Sequence, residues 1–180
     1  MNKSVLISIR PRWIDLISRG EKTIEVRKSR PKMDTPFKCY IYQTGEYIPS
    51  YVLSPYSGRR KPGKVMAEFT CDRIDRYLRI GTTGAPRVYY MRVDPEQYTH
   101  SIDYSPMCLS PEEFANYGGG KQLFGWYISE LKIYTEPKDL SEFSLWNADP
   151  RTPGVPANGW YYKPLVKAPQ SYCFVYGLED

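Results

Sequence analysis

Histidine is nearly missing from this chain: His100 is the only one in 180 residues. It lies in a polar stretch between Thr99 and Ser101, and any Ser-His or Cys-His catalytic pair would have to be built on it. That scarcity speaks against triad-type nucleophilic catalysis. No His, Asp and Glu residues stand at ligand spacing, so no metal is expected. Cysteine is sparse too. Cys39, Cys71, Cys108 and Cys173 are far apart and form no Cys-x-x-Cys pair, which excludes a zinc ribbon. Cys39, Cys71 and Cys173 sit in apolar, strand-like runs and read as small core residues. No apolar run approaches the roughly 18 residues that span a bilayer. Reduced thiols and the lack of a secretory signal lead us to expect a cytoplasmic protein, with no membrane partner and no cofactor. Gly118-Gly119-Gly120 lacks phosphate-loop spacing and a following Lys-Ser/Thr, so it reads as a turn. There is no internal repeat and no low-complexity tract.

What the chain has in quantity is tyrosine, with 17 copies, and proline, with 16. Together they suit a β-rich, loop-rich domain, and the tyrosines supply amphipathic surfaces for packing or stacking. Hydrophobic residues at 41% and charged residues at 25% make a globular composition, and 180 residues suit one domain with its own core. The net charge of +5 is unevenly spread. Residues 1–38 hold ten bases against four acids, a surplus of six, which leaves the remainder at −1. A second basic run is Arg59-Arg60-Lys61, with Lys64 nearby. Clustered bases attract polyanions, of which nucleic acid is the commonest, although a soluble protein can carry a basic face that binds nothing.

Patterning places a buried first strand at 4–9, then a short helix opened by Pro11 and closed by Gly20. Further strands are expected at 23–28, 37–42, 64–74 (with a bulge near Cys71-Asp72), 125–134 and 172–176. Ser110-Pro111-Glu112-Glu113 carries the cap, first-turn proline and third-position glutamate of a second helix. Residues 140–143 read as a short helical piece. Loop insertions are expected at about 44–62, 75–108 and 146–168, within a single domain spanning 1–180. The fold class is α+β and mostly β: a small curved sheet or barrel with one or two helices.

The candidate chemistry lies in Gly20-Glu21-Lys22-Thr23-Ile24-Glu25-Val26-Arg27-Lys28. Alternation puts Thr23, Glu25 and Arg27 on one strand face and Ile24 and Val26 on the other. An acid flanked by bases could be a polar site or a solvated ion pair. A desolvated Lys22 could act as a base, and Glu25 as a base or an acceptor for a ligand amine.

Gly20, Lys22, Glu25 and Arg27 fill a Gly-x-Lys-x-x-Glu-x-Arg pattern that resembles the signature of ASCH domains, in the PUA-like superfamily. Residues 63–74 look like that family's central strand. Residues 124–131, then Pro137, Leu140 and Phe143, are similar to its later strand and turn. Pro169-Gln170-Ser171-Tyr172-Cys173 is similar to a closing motif of bacterial and phage members. The resemblance implies a PUA-like β-barrel with a helix beside a cleft bordered by Lys22, Glu25 and Arg27. It implies RNA or a modified nucleoside as partner, held in a pocket with an aromatic wall and a few polar groups. Trp126, Tyr42, Gln170 and Ser171 are the candidates for that pocket. Arg10, Lys28 and Glu68 complete the candidate ligand-binding set. Some relatives remove acyl groups from N4-acylcytidines, and others have been reported as ribonucleases. The amidohydrolase pattern has a lysine matching Lys22, but a threonine nucleophile where this chain has Glu25. Thr23 shares that face about 7 Å away, and a water activated by Glu25 is the remaining route.

Three functions therefore stand at this point. One is binding of single-stranded nucleic acid or a modified base through a basic cleft. Another is a small hydrolase acting on a modified nucleoside or on RNA, with Lys22 and Glu25 as its catalytic residues. The third is a protein-interaction domain.

Overall fold

Pro11 and Gly20 bracket the first helix because each suits one end only. Proline needs no N–H at a helix start, and glycine enters the left-handed conformation that ends a helix. In the computed structural model the helix runs Pro11–Ser18, and Gly20 has φ of 72°. The Gly20 N–H donates to the Ile17 carbonyl and the Glu21 N–H to the Leu16 carbonyl, the paired bonds of a Schellman motif. The structure describes residues 2–45, 47–48, 59–60, 63–80, 89–93, 98–99, 101–146 and 164–178. His100 and Lys61 lie outside the described residues.

The element order is β1 (Lys3–Ile9), α1 (Pro11–Ser18), β2 (Ile24–Arg27), β3 (Phe37–Gln43), β4 (Tyr47–Ile48), β5 (Arg59–Arg60), β6 (Val65–Cys71), β7 (Ile74–Ile80), β8 (Tyr89–Val93) and β9 (Tyr98–Thr99). Then come a 3-10 turn at Ser105–Met107, α2 (Pro111–Gly118), β10 (Leu123–Tyr127), β11 (Ser129–Lys138), a second 3-10 turn at Leu140–Glu142 and β12 (Tyr172–Tyr176). Ser110 caps α2 with the full capping box expected from its sequence: its hydroxyl accepts from the Glu113 N–H, and the Glu113 carboxylate accepts from the Ser110 N–H.

The chain divides into two compact units. The first comprises Met1–Ile14, Lys38–Phe69 and Leu131–Asp180; the second comprises Asp15–Phe37 and Thr70–Glu130. One five-stranded sheet has the order β11-β6-β3-β1-β12, and β1 pairs parallel to β3 and antiparallel to β12. In the first unit Leu6, Tyr40, Val65, Phe143, Leu165 and Val175 pack as a core cluster. The other sheet has the order β2-β10-β7-β8-β9. In the second unit Phe114 of α2 is the hub, with Tyr77, Tyr90 and Tyr104 meeting its ring edge-on at 5.2–5.3 Å. Such pairs add stabilisation beyond the area they bury.

The architecture is α+β and mostly β. The pairings among described strands form two open sheets and a two-stranded ribbon and do not close a ring. Two single strands of the sequence reading prove to be pairs. The run 64–74 is β6 and β7, separated at Asp72-Arg73 as the chain leaves one sheet for the other. The run 125–134 is β10 and β11, separated at Ile128, with Glu130 in the left-handed region at φ of 49°. At Asp72-Arg73 alternation cannot show the change of sheet, because positions 65, 67, 69 and 71 and then 75 and 77 are buried in one unbroken phase. The expected loop at 75–108 is also corrected at its start, since β7 runs to Ile80. Its inward positions include buried Asp75, a charge that hides the strand from a hydrophobicity reading.

The buried thiols and phenols predict alkaline instability. Burial raises Cys71 to about 12 and Cys173 to about 11, and holds the phenols of Tyr40, Tyr77, Tyr90, Tyr104, Tyr127 and Tyr172 above their ordinary value. These groups ionise earlier in the unfolded chain, near 9 for the thiols and 10 for the phenols. Their contribution is therefore whole below pH 9 and is lost as pH rises through the folded values. Lys22, shifted down by burial, has the opposite sign and opposes the loss as pH climbs toward 10.5. Eight groups outweigh one, so the urea midpoint should fall between pH 8 and pH 10.5. An unchanged midpoint would contradict the burial of these side chains.

Candidate functional site

The Schellman turn at the end of α1 also delivers Lys22, whose backbone N–H donates to the Leu16 carbonyl. The Lys22 side chain is only 2% exposed. Its Nζ donates to the Ile24 carbonyl at 2.9 Å and to the Met107 carbonyl at 2.7 Å, and lies 3.4 Å from Glu25 Oε2. Glu25 Oε1 in turn lies 3.3 Å from Arg27 Nε. All four residues of β2 are buried, so the polar face expected from alternation is not a solvated face. Burial lowers the Lys22 pKa and the Glu25 carboxylate opposes that shift. The three acceptors around Nζ match the three N–H bonds of an ammonium. A Lys22 amine acting as a base would have to turn its lone pair toward one of them.

Strand pairing builds the rest of this face. Glu25 lies across from Trp126, and Arg27 across from Phe124, which in turn faces Arg76 on β7. Directly opposed residues share a sheet face. Trp126 is therefore brought beside Glu25, but its ring is fully buried and packs edge-on to Phe37 at 5.9 Å. As it stands it offers no open face to a stacked base. Beyond the end of β2 the chain emerges into an open depression of about 610 Å³, lined by Lys28, Arg30, Lys32, Asp34, Gln122 and Phe124 among others. Lys28, Arg30, Lys32 and Gln122 are exposed. Gln122 accepts a hydrogen bond from Arg76 Nε at 3.0 Å. On the same unit Asp75 accepts both Arg73 Nε and Nη2, at 2.7 and 2.9 Å, and the Tyr127 hydroxyl at 2.9 Å.

Five residues of the candidate set, Lys22, Glu25, Arg27, Lys28 and Trp126, thus belong to the second unit. Arg10, Tyr42, Glu68, Gln170 and Ser171 belong to the first. There, four of them gather at one end of a sheet. Tyr42 is the β3 partner of Ser8, the Ser8 N–H donates to the Ser171 carbonyl, and Arg10 follows the end of β1. The Ser8 hydroxyl also holds the Pro169 carbonyl at 2.7 Å, which fastens the segment that carries Gln170. Tyr42 lines a second depression of about 730 Å³, and its hydroxyl accepts the Gly63 N–H. Glu68 is engaged apart from them, accepting the Tyr134 hydroxyl with Lys38 at 3.5 Å and Lys132 at 3.8 Å.

Sequence reasoning missed the Met107 carbonyl, Phe124, Gln122 and Asp75, all brought in by pairing across long sequence separations. Arg30 and Lys32 did carry a signal, the alternating bases of Lys28-Ser29-Arg30-Pro31-Lys32. Among the described residues no three His, Cys, Asp or Glu side chains gather as metal ligands, and no helix is long and apolar enough to cross a membrane.

No family model matches the chain, and no curated protein matches it in sequence. Solved structures do. The ASCH protein of Zymomonas mobilis is similar with a TM-score of 0.53 and 17% identity, over 96% of this chain and 87% of that one. A serine-to-alanine mutant of the same Zymomonas mobilis protein gives a TM-score of 0.51 and 15% identity, over 96% of this chain and 88% of that one. At such identity the likeness establishes a shared fold: this chain has the mostly-β fold of the ASCH structures.

Proposed function

We propose, from this ASCH fold and the basic depression beside β2, that the chain acts as one ASCH-type domain that binds single-stranded RNA. The observation that carries the reading is the exposed row Lys28, Arg30 and Lys32 around an open depression with Phe124 and Gln122 in its lining. Three cations against the single acid Asp34 make a backbone-binding surface, and the exposed Gln122 amide suits a base edge. The buried Lys22–Glu25–Arg27 group supports this surface from behind by fixing β2, the strand from which the basic segment leaves. The hydrolase reading asks more of the same residues, because Lys22 would have to give up a proton while its N–H bonds already meet acceptors.

The test is binding of a labelled single-stranded RNA across a salt series, with the wild type beside the triple variant Lys28→Ala, Arg30→Ala and Lys32→Ala. Counterion release makes each phosphate contact on a single strand worth about five-fold in affinity at 0.1 M salt. Losing three contacts should cost about a hundred-fold and flatten the salt slope by about two. Equal binding by both proteins would refute the reading.

A further inference from the structure

One aromatic ring is more exposed than the others among the described side chains, several of which are half-buried. Among the described residues Tyr117 is the exposed large aromatic, at 39%; the other exposed large hydrophobics, Ile133 and Val166, are aliphatic. It sits in the last turn of α2, three residues beyond the fully buried Phe114 that anchors that helix. The Lys28 ammonium lies 5.1 Å from the centroid of the Tyr117 ring. Lys28 also lines the basic depression, with Arg30, Lys32 and Gln122. A single cation thus joins an exposed ring to a cationic surface.

We propose that Tyr117 is a base-stacking platform, which makes the ligand of this surface an unpaired nucleotide strand rather than a duplex. The inference rests on the single-stranded RNA reading above and deepens it by naming the side chain that would enforce the preference for an unpaired strand. A duplex keeps its bases stacked on one another and offers the ring no free base face, so stacking on Tyr117 would gain nothing from it. An unpaired base has a free π-face, and stacking on an aromatic side chain is tolerant of base identity. Lys28 stands over one face of the ring, which puts a cation within reach of the phosphate next to a base stacked on the other face. It also holds the ring by a cation–π contact, which reduces the ordering left for the ligand to impose. The Gln122 amide can both donate and accept, as a base edge requires. Tyr117 carries no charge, so its contribution should be independent of salt, unlike that of Lys28, Arg30 and Lys32.

The experiment compares wild type, Tyr117→Ala, Tyr117→Leu, Tyr117→Phe and the triple basic variant on three probes. These are a single-stranded RNA oligomer, the same oligomer with abasic sites, and its duplex. Stacking predicts that Tyr117→Ala and Tyr117→Leu weaken the base-bearing single strand about ten-fold with an unchanged salt slope, and that Tyr117→Phe binds as wild type. The abasic strand and the duplex should be bound alike by all four proteins that retain the basic residues. Leucine keeps apolar bulk on the helix, so its agreement with alanine separates stacking from a folding defect. Wild-type affinity in Tyr117→Ala, alongside lost binding in the triple basic variant, would overturn the stacking platform and leave the RNA-binding reading standing. Absence of salt-sensitive binding by the wild-type protein would overturn both.

Discussion

Glu25→Ala should destabilise the protein by about 3–5 kcal/mol, because it leaves buried charges without their counter-ion. Lys22, Glu25 and Arg27 are each less than a tenth exposed. The carboxylate of Glu25 is the negative group set against both cations, at 3.4 and 3.3 Å. Removing it abandons two positive charges in a poorly solvated place. Glu25→Gln should cost less, since the amide keeps the shape and one acceptor oxygen. The double variant Lys22→Met with Glu25→Gln should recover part of the loss, since breaking one side of a buried pair is worse than replacing both sides. Urea midpoints at pH 7 for the three variants would measure this. A loss under about 1 kcal/mol for Glu25→Ala is what a surface ion pair would give, and it would mean that β2 is solvated.

Trp126→Ala should be of similar size, about 3–5 kcal/mol, from the lost burial and the cavity left behind. The ring is fully buried and meets Phe37 edge-on. Its backbone is also held in the sheet between β2 and β7, so the surroundings have little freedom to collapse. This variant separates two roles that the sequence leaves open for the residue. A ligand-stacking wall would lose RNA affinity and keep its stability. A core residue would lose stability, and Trp126→Phe, which keeps an aromatic ring, would lose less. Unchanged stability in Trp126→Ala would show that the indole is not the packed core residue seen here.

Local signals served well where the chain's own neighbours decide the outcome. Pro11, Gly20 and the Ser110–Glu113 box mark helix ends within a residue or so, because caps are satisfied by groups three to five positions away. Alternation found β2, and short apolar runs found β1, β3 and β12. Alternation also put Glu25 and Arg27 on one face, where the structure has them ion-paired.

What the sequence by itself determined about this protein is thus the local grammar: the strands β1, β2, β3 and β12, where the helices begin and stop, and that a lysine, a glutamate and an arginine are clustered at β2. What only the tertiary structure decided is how those charges are solvated. The Met107 carbonyl that holds Lys22 is 85 residues away along the chain. Trp126 is placed across from Glu25 by strand pairing, and Phe37 closes over its ring. The break at Asp72-Arg73 is invisible to alternation because the chain changes sheet there and the buried positions keep their phase. Burial depends on surfaces brought together from distant parts of the chain. A pattern of neighbours can assign a side chain to a face; what covers that face is set by the fold.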